Sequence, residues 1–78
     1  MIRVLLFAAA RDAAGAAAVD AHALDLAQLR RELVQAYGER IGIVIDRSSV
    51  LVDGRRLAAS DPIAAGSEVH ILPPFAGG

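Results

Sequence analysis

The sequence predicts an α+β fold of two layers, a mixed sheet of four to five strands with one main helix packed on one face. Three features predict it. The chain has 78 residues and no cysteine, so one core must hold it without disulfides, and a chain this short buries only roughly 60% of its unfolded surface. Seventeen of its hydrophobic residues are alanine, which leaves 26 larger apolar side chains. That is enough for one sheet–helix interface and too little for two domains, so residues 1–78 are expected to form a single domain. Finally, one stripe of helical period lies among segments of strand character, and an Asp-Gly pair separates two of those segments.

Residues 2–8 are the first strand. Ile2, Val4 and Leu6 fall on one side by the period of two, and Arg3, Leu5 and Phe7 on the other. Residues 9–15, with Arg11, Asp12 and Gly15, read as a turn. Residues 16–23 give a second strand antiparallel to the first, with Val19 as its one large β-former. Asp25 is an N-cap, and Gln28 three residues later completes a capping-box-like pair. Leu26, Leu29, Leu33, Ala36 and Tyr37 follow at helical spacing, and Gly38 supplies the helix stop. Residues 40–49 hold Ile41, Ile43, Val44 and Ile45 and read as a connecting segment with some buried isoleucines. Val50, Leu51 and Val52 enter a tight hairpin at Asp53-Gly54, and residues 55–58 form a short return strand. Turns at Ser60-Asp61-Pro62 and Ala65-Gly66 lead to the last strand, residues 68–72, with Val69 and Ile71 inward and His70 and Leu72 outward.

Composition removes many activities. Without cysteine there is no thiolate catalysis and no cysteine-ligated metal or cluster. All eight basic residues are arginine, so no lysine can form a Schiff base or accept an acyl group. Net charge is −1 with no basic stripe, so no nucleic-acid partner is expected. The apolar runs fall far short of the ~20 residues that span a bilayer, and the N-terminus lacks a signal-peptide layout. No membrane association is expected, and the expected location is cytoplasmic. His22 and His70 are far apart and read as ordinary polar residues, so no metal site is expected. Ser48, Ser49, Ser60 and Ser67 sit in turns, and Asp12, Asp20, Asp46 and Asp61 show no acid/base spacing. No side-chain active site and no bound cofactor emerge.

What remains is the C-terminus. Two terminal glycines arise by chance in about one chain in two hundred at a glycine usage of ~7%, which is weak alone. The neighbours strengthen the signal. Pro73 and Pro74 keep the chain extended after the last strand. Phe75 is a large apolar residue on a solvated tail, costly unless something receives it. Ala76, Gly77 and Gly78 then carry almost no bulk, so the backbone can thread a narrow channel. Six residues at ~3.3 Å each reach about 20 Å beyond the sheet, which describes a carboxylate on a stalk. Leu5, Phe7, Leu51 and Leu72, on the face away from the helix, can join Phe75 in an apolar partner surface; in another register some of them belong to the core. Arg11 is either a solvated turn residue or a partner contact, and Tyr37 ends the helix stripe.

Three segments carry a family resemblance: residues 7–15 after the first strand, residues 62–69 before the last, and the ending Leu72-Pro73-Pro74-Phe75-Ala76-Gly77-Gly78. Over essentially its whole length the chain resembles the small, sulfur-carrying subunit of molybdopterin synthase, a ubiquitin-like β-grasp family. It departs in its alanine-rich second strand and in Asp53, where the family often has asparagine. The resemblance implies a β-grasp fold with residues 72–78 as the functional tail. It implies that an ATP-dependent adenylyltransferase of the ubiquitin-activating type converts the Gly78 carboxylate to an acyl-adenylate, that sulfur from a donor replaces AMP, and that the thiocarboxylate donates sulfur to a cyclic pyranopterin precursor. That precursor would be bound by a large catalytic subunit, leaving this chain non-catalytic alone. Two other readings stay open. One is a carrier for thiamine or another sulfur pathway, against which Pro73-Pro74-Phe75 argues. The other is a protein modifier joined to lysines through Gly78.

Overall fold

Burial alternates along Ile2–Leu6: Ile2, Val4 and Leu6 are buried, Arg3 is exposed and Leu5 half-buried. This is the period-two pattern of a strand with one covered face, and it makes the segment β1. The computed structural model describes residues 1–74. After β1 come α1 (Ala9–Ala14), β2 (Ala18–Ala21), α2 (Leu26–Tyr37), α3 (Glu39–Asp46), β3 (Ser49–Val52), β4 (Arg55–Arg56) and β5 (Glu68–Leu72). The strands form one sheet in the order β2-β1-β5-β3-β4. β1 and β5 are parallel neighbours, and the other three pairings are antiparallel. A mixed five-stranded sheet grasping a main helix is the β-grasp expected from the sequence.

The hairpin between β3 and β4 follows from its turn pair. Asp53 has φ 51° and Gly54 φ 77°, the two positive values that a type I′ turn requires. The start of α2 is capped as its sequence predicts. Asp25 Oδ1 accepts from the Gln28 N–H at 2.8 Å, and Gln28 Oε1 accepts from the Leu24 N–H at 3.0 Å. Leu29 and Leu33 of α2 are fully buried in one cluster with Ile2, Val4, Leu6, Val50, Val52, Val69 and Ile71. The segment after β4 is tied to the helix start: Ile63 is buried, and its N–H donates to the Leu24 carbonyl at 2.8 Å.

Three expectations are corrected. Residues 9–15 are not a turn. They form α1, whose Gly15 takes the left-handed C-cap position (φ 71°) and donates its N–H to the Arg11 carbonyl at 2.8 Å, while Ala10 is buried. The stretch 40–49 is not a plain connection either, since its isoleucines lie on α3. Ile41 and Ile45, four residues apart, are buried there, whereas Ile43 is 53% exposed. Burial of that pair overrides the strand preference of a β-branched run. Gly42 lets α3 approach α2, and the Arg30 Nε and Nη2 groups clamp the Asp46 carboxylate at 2.7 and 2.8 Å. Finally, the helix stripe expected to pack on the sheet does not carry its last residue, Tyr37, into the core. At Gly38 (φ 100°) the chain leads directly from α2 into α3, and Tyr37 is 38% exposed. Val34, half-buried, faces α3 instead.

Candidate functional site

The tail springs from β5, the middle strand of the sheet, which is gripped on both sides by β1 and β3. The N–H of Phe7 donates to the Ile71 carbonyl at 3.2 Å and extends the β1–β5 ladder to the tail root. Pro73 and Pro74 follow, both exposed. Because β1 and β5 are parallel, Phe7, one residue past β1, and Pro73, one residue past β5, leave the sheet at the same end of these strands. Phe75, Ala76, Gly77 and Gly78 lie outside the described residues.

The sheet face away from α2 is graded from charge to apolar surface along β5. Its first row is Asp20, Arg3 and Glu68, paired in register across β2, β1 and β5. The second row crosses the whole sheet as Ala18, Leu5, His70, Leu51 and Arg56. In the third, Leu72 pairs with Ser49, and Phe7 stands one residue beyond the Leu6–Ile71 pair. Leu5, Leu51 and Leu72 are half-buried and Phe7 is 40% exposed. The structure thus brings these four sequence-predicted side chains together on one face, nearest the tail. The polar groups on this face are ordered. His70 Nε2 lies 2.9 Å from Glu68 Oε1, the Phe7 ring meets the His70 ring edge-on with centroids 6.0 Å apart, and Arg56 Nη2 donates to Ser49 Oγ at 3.1 Å.

Around the corner from this face, Phe7 also borders an apolar cleft of about 280 Å³ at the tail root. Its walls are Ala8–Ala10, the α3 end at Ile43, Val44, Arg47 and Ser48, and the two prolines. Ala8 has φ 52°, an uncommon value for a residue with a Cβ, and it turns the chain from β1 into α1 here. The Ser48 hydroxyl donates to the Val44 carbonyl at 2.6 Å and closes the end of α3. Sequence reasoning missed the α3 wall. The signal was Ile43, which a helical reading of residues 39–46 puts opposite Ile41 and Ile45. Arg11 is exposed on α1 and does not line the cleft.

Among the described residues no group of three or more His, Asp or Glu side chains can hold a metal ion, and no helix is long and apolar enough to cross a membrane. The strongest charge pairing is structural: hydrogen bonding to Arg30 holds the Asp46 carboxyl below the usual carboxylate range and raises the guanidinium in turn. It ties α2 to the end of α3.

Comparison with known proteins extends this geometry. The ThiS family profile matches residues 4–78. No curated protein sequence matches the chain. Among solved structures, SAMP1 from Haloferax volcanii is 28% identical with a TM-score of 0.74, the match covering 99% of this chain and 98% of that one. A putative molybdopterin converting factor subunit 1 from Pyrococcus furiosus is 20% identical with a TM-score of 0.82, over 95% and 97% of the two chains. A chain from the complex of subunits 1 and 2 of the molybdopterin-converting factor of Helicobacter pylori is 20% identical with a TM-score of 0.69, over 99% and 97%.

Proposed function

The chain belongs to the ThiS family of ubiquitin-like sulfur carriers, and on that premise we propose that it is the sulfur-carrier subunit of a molybdopterin synthase, with the Gly78 carboxylate as the group that carries sulfur. The observation that carries this reading is the family match running through to Gly78. A free carboxylate is a poor acyl donor. In the proposed sequence a carboxylate oxygen of Gly78 attacks the α-phosphorus of ATP on an adenylyltransferase and pyrophosphate leaves. A reduced sulfur donor then attacks the acyl carbon, AMP leaves, and a thiocarboxylate results. The thiocarboxylate sulfur bonds to an electrophilic carbon of the pterin precursor on the large subunit, and water then cleaves the acyl C–S bond, leaving sulfur on the pterin and restoring the Gly78 carboxylate. ATP and pterin belong to the partners, and the requirement for ATP supports a cytoplasmic setting.

The described surface supports the docking half of this reading. Phe7, Leu5, Leu51 and Leu72 form an apolar face next to the tail root, and apolar patches of this kind mark partner surfaces. In the Helicobacter pylori relative, subunit 1 is in complex with subunit 2, which supports a large-subunit partner here. Pro73-Pro74-Phe75 supports the molybdopterin branch over the thiamine branch. A second reading has its own support: the Haloferax volcanii relative is a small archaeal modifier protein, so Gly78 joined to lysines of other proteins is the alternative.

Incubation with ATP, the adenylyltransferase and a sulfur donor tests the carrier reading. Intact mass should show exchange of one oxygen for one sulfur, reversed on adding the large subunit and pterin precursor. Isopeptide-linked conjugates in place of a thiocarboxylate would favour the modifier reading.

A further inference from the structure

His70 is the central side chain in the middle row of the docking face, set between Leu5 on β1 and Leu51 on β3, with Arg56 at the outer end of the row on β4. Its ring is anchored from two sides, by Glu68 at 2.9 Å and by the edge-on Phe7 ring. A carboxylate only accepts hydrogen bonds, so Nε2 must carry the proton shared with Glu68. In the neutral ring Nδ1 is then a bare acceptor, and within the described residues it receives no hydrogen bond. Its side chain is 38% exposed, so that acceptor is open to water in the free protein.

Resting on the synthase reading above, we propose that His70, held by Glu68, is the positioning residue of the docking face: its Nδ1 accepts a hydrogen bond from an N–H or O–H donor that the large subunit presents to the apolar part of that face, between Leu5 and Leu51. The physical reason is register. Leucine and phenylalanine contacts are non-directional, so a partner resting on Leu5, Leu51, Leu72 and Phe7 alone can slide by a strand spacing at little cost. Seating any partner there strips water from Nδ1, and a buried acceptor without a donor is penalised. Only the docking position that places a donor against His70 escapes the penalty, much as a single polar group fixes register in an apolar coiled-coil seam. Register matters because the tail leaves from the same strand two residues later, and a misplacement of ~1 Å at the reacting group can cost about a hundredfold in rate.

The test uses the full-length carrier with its cognate large subunit, in three forms: unsubstituted, His70→Phe and His70→Gln. The Kd is read by calorimetry, and the single-turnover sulfur-transfer rate is read from preformed thiocarboxylate at saturating large subunit. His70→Phe keeps the apolar character but leaves the partner's donor unmatched. It should weaken the Kd by about tenfold or more and lower the saturated transfer rate. His70→Gln, which retains an acceptor oxygen, should recover most of both, and Tm should be the same for all three. His70→Phe binding and transferring like the unsubstituted carrier would overturn the proposal. So would equal losses in both variants accompanied by a lowered Tm. If the unsubstituted carrier does not bind the large subunit at all, the synthase reading fails, and this inference with it.

Discussion

Gly42→Ala sets two known effects against each other at the contact between α2 and α3. Alanine favours a helix interior over glycine by about 1 kcal/mol, so at an open position the substitution stabilises. Gly42 is buried, and a Cβ added there would lie 2.8 Å from Val34 Cγ2, 3.0 Å from Arg30 Nη2 and 3.1 Å from Arg30 Cζ. The arginine tip can swing away, at the expense of its fork on Asp46. The valine methyl cannot, because β-branched side chains in helices have one strongly preferred rotamer. Overpacking of this kind costs about 1–3 kcal/mol. The clash therefore wins, and the expected net effect is a loss of about 1 kcal/mol, a Tm decrease of roughly 4–8 °C for a domain of this size. Urea unfolding of four proteins measures it: the parent, Gly42→Ala, Val34→Ala and the double variant. In the Val34→Ala background the new methyl has room, so the same glycine substitution should become neutral or stabilising. A Gly42→Ala protein as stable as the parent, or the same glycine effect in both backgrounds, would show that close approach at Val34 does not govern this packing.

Leu29 is fully buried beneath the sheet, and Leu29→Ala should cost about 2–5 kcal/mol, measured by the same urea titration. Asp46, with its carboxyl held low by Arg30, stabilises the fold above the ordinary carboxylate range near ~3.9 and loses that contribution as pH falls through its folded value. Asp46→Asn should therefore be less stable than the parent at neutral pH, with the gap closing under acid in pH-dependent melting curves. Phe7→Ala should leave melting nearly unchanged, since the residue is 40% exposed, yet weaken binding to the large subunit by on the order of 2 kcal/mol in calorimetry.

The elements written in local chemistry were legible in the sequence. The Asp53-Gly54 turn, the Asp25–Gln28 cap and the alternation along β1 and β5 each depend on neighbours within a few residues, and each stands where the sequence put it. α3 was not legible, because Ile41, Ile43, Val44 and Ile45 favour a strand locally and become helical only with Ile41 and Ile45 buried in the core. α1 was hidden for a related reason: of its six residues four are alanine and the other two are Arg11 and Asp12, so no stripe of large apolar side chains shows, and Gly15 reads equally as turn or helix stop. Since both helices supply walls of the cleft at the tail root, that half of the site was missed along with them. The sheet half was readable from period two alone, because Leu5, Leu51, His70 and Leu72 alternate with buried neighbours. The ordered ring of His70 was not, because it depends on Phe7 of a different strand as well as on Glu68.

The claim that Gly78 carries the sulfur is tested most directly by deleting that one residue and reconstituting pterin sulfuration with adenylyltransferase, ATP, sulfur donor and large subunit. The deletion removes nothing from the core cluster and leaves Phe7 and the sheet face intact, so folding and most of the docking affinity should persist. The terminal carboxylate, however, retreats by about 3.5 Å, more than enough to abolish productive geometry when ~1 Å can cost a hundredfold. The expected result is near-parental binding with sulfur transfer reduced to background. Near-normal turnover by the shortened carrier would contradict it.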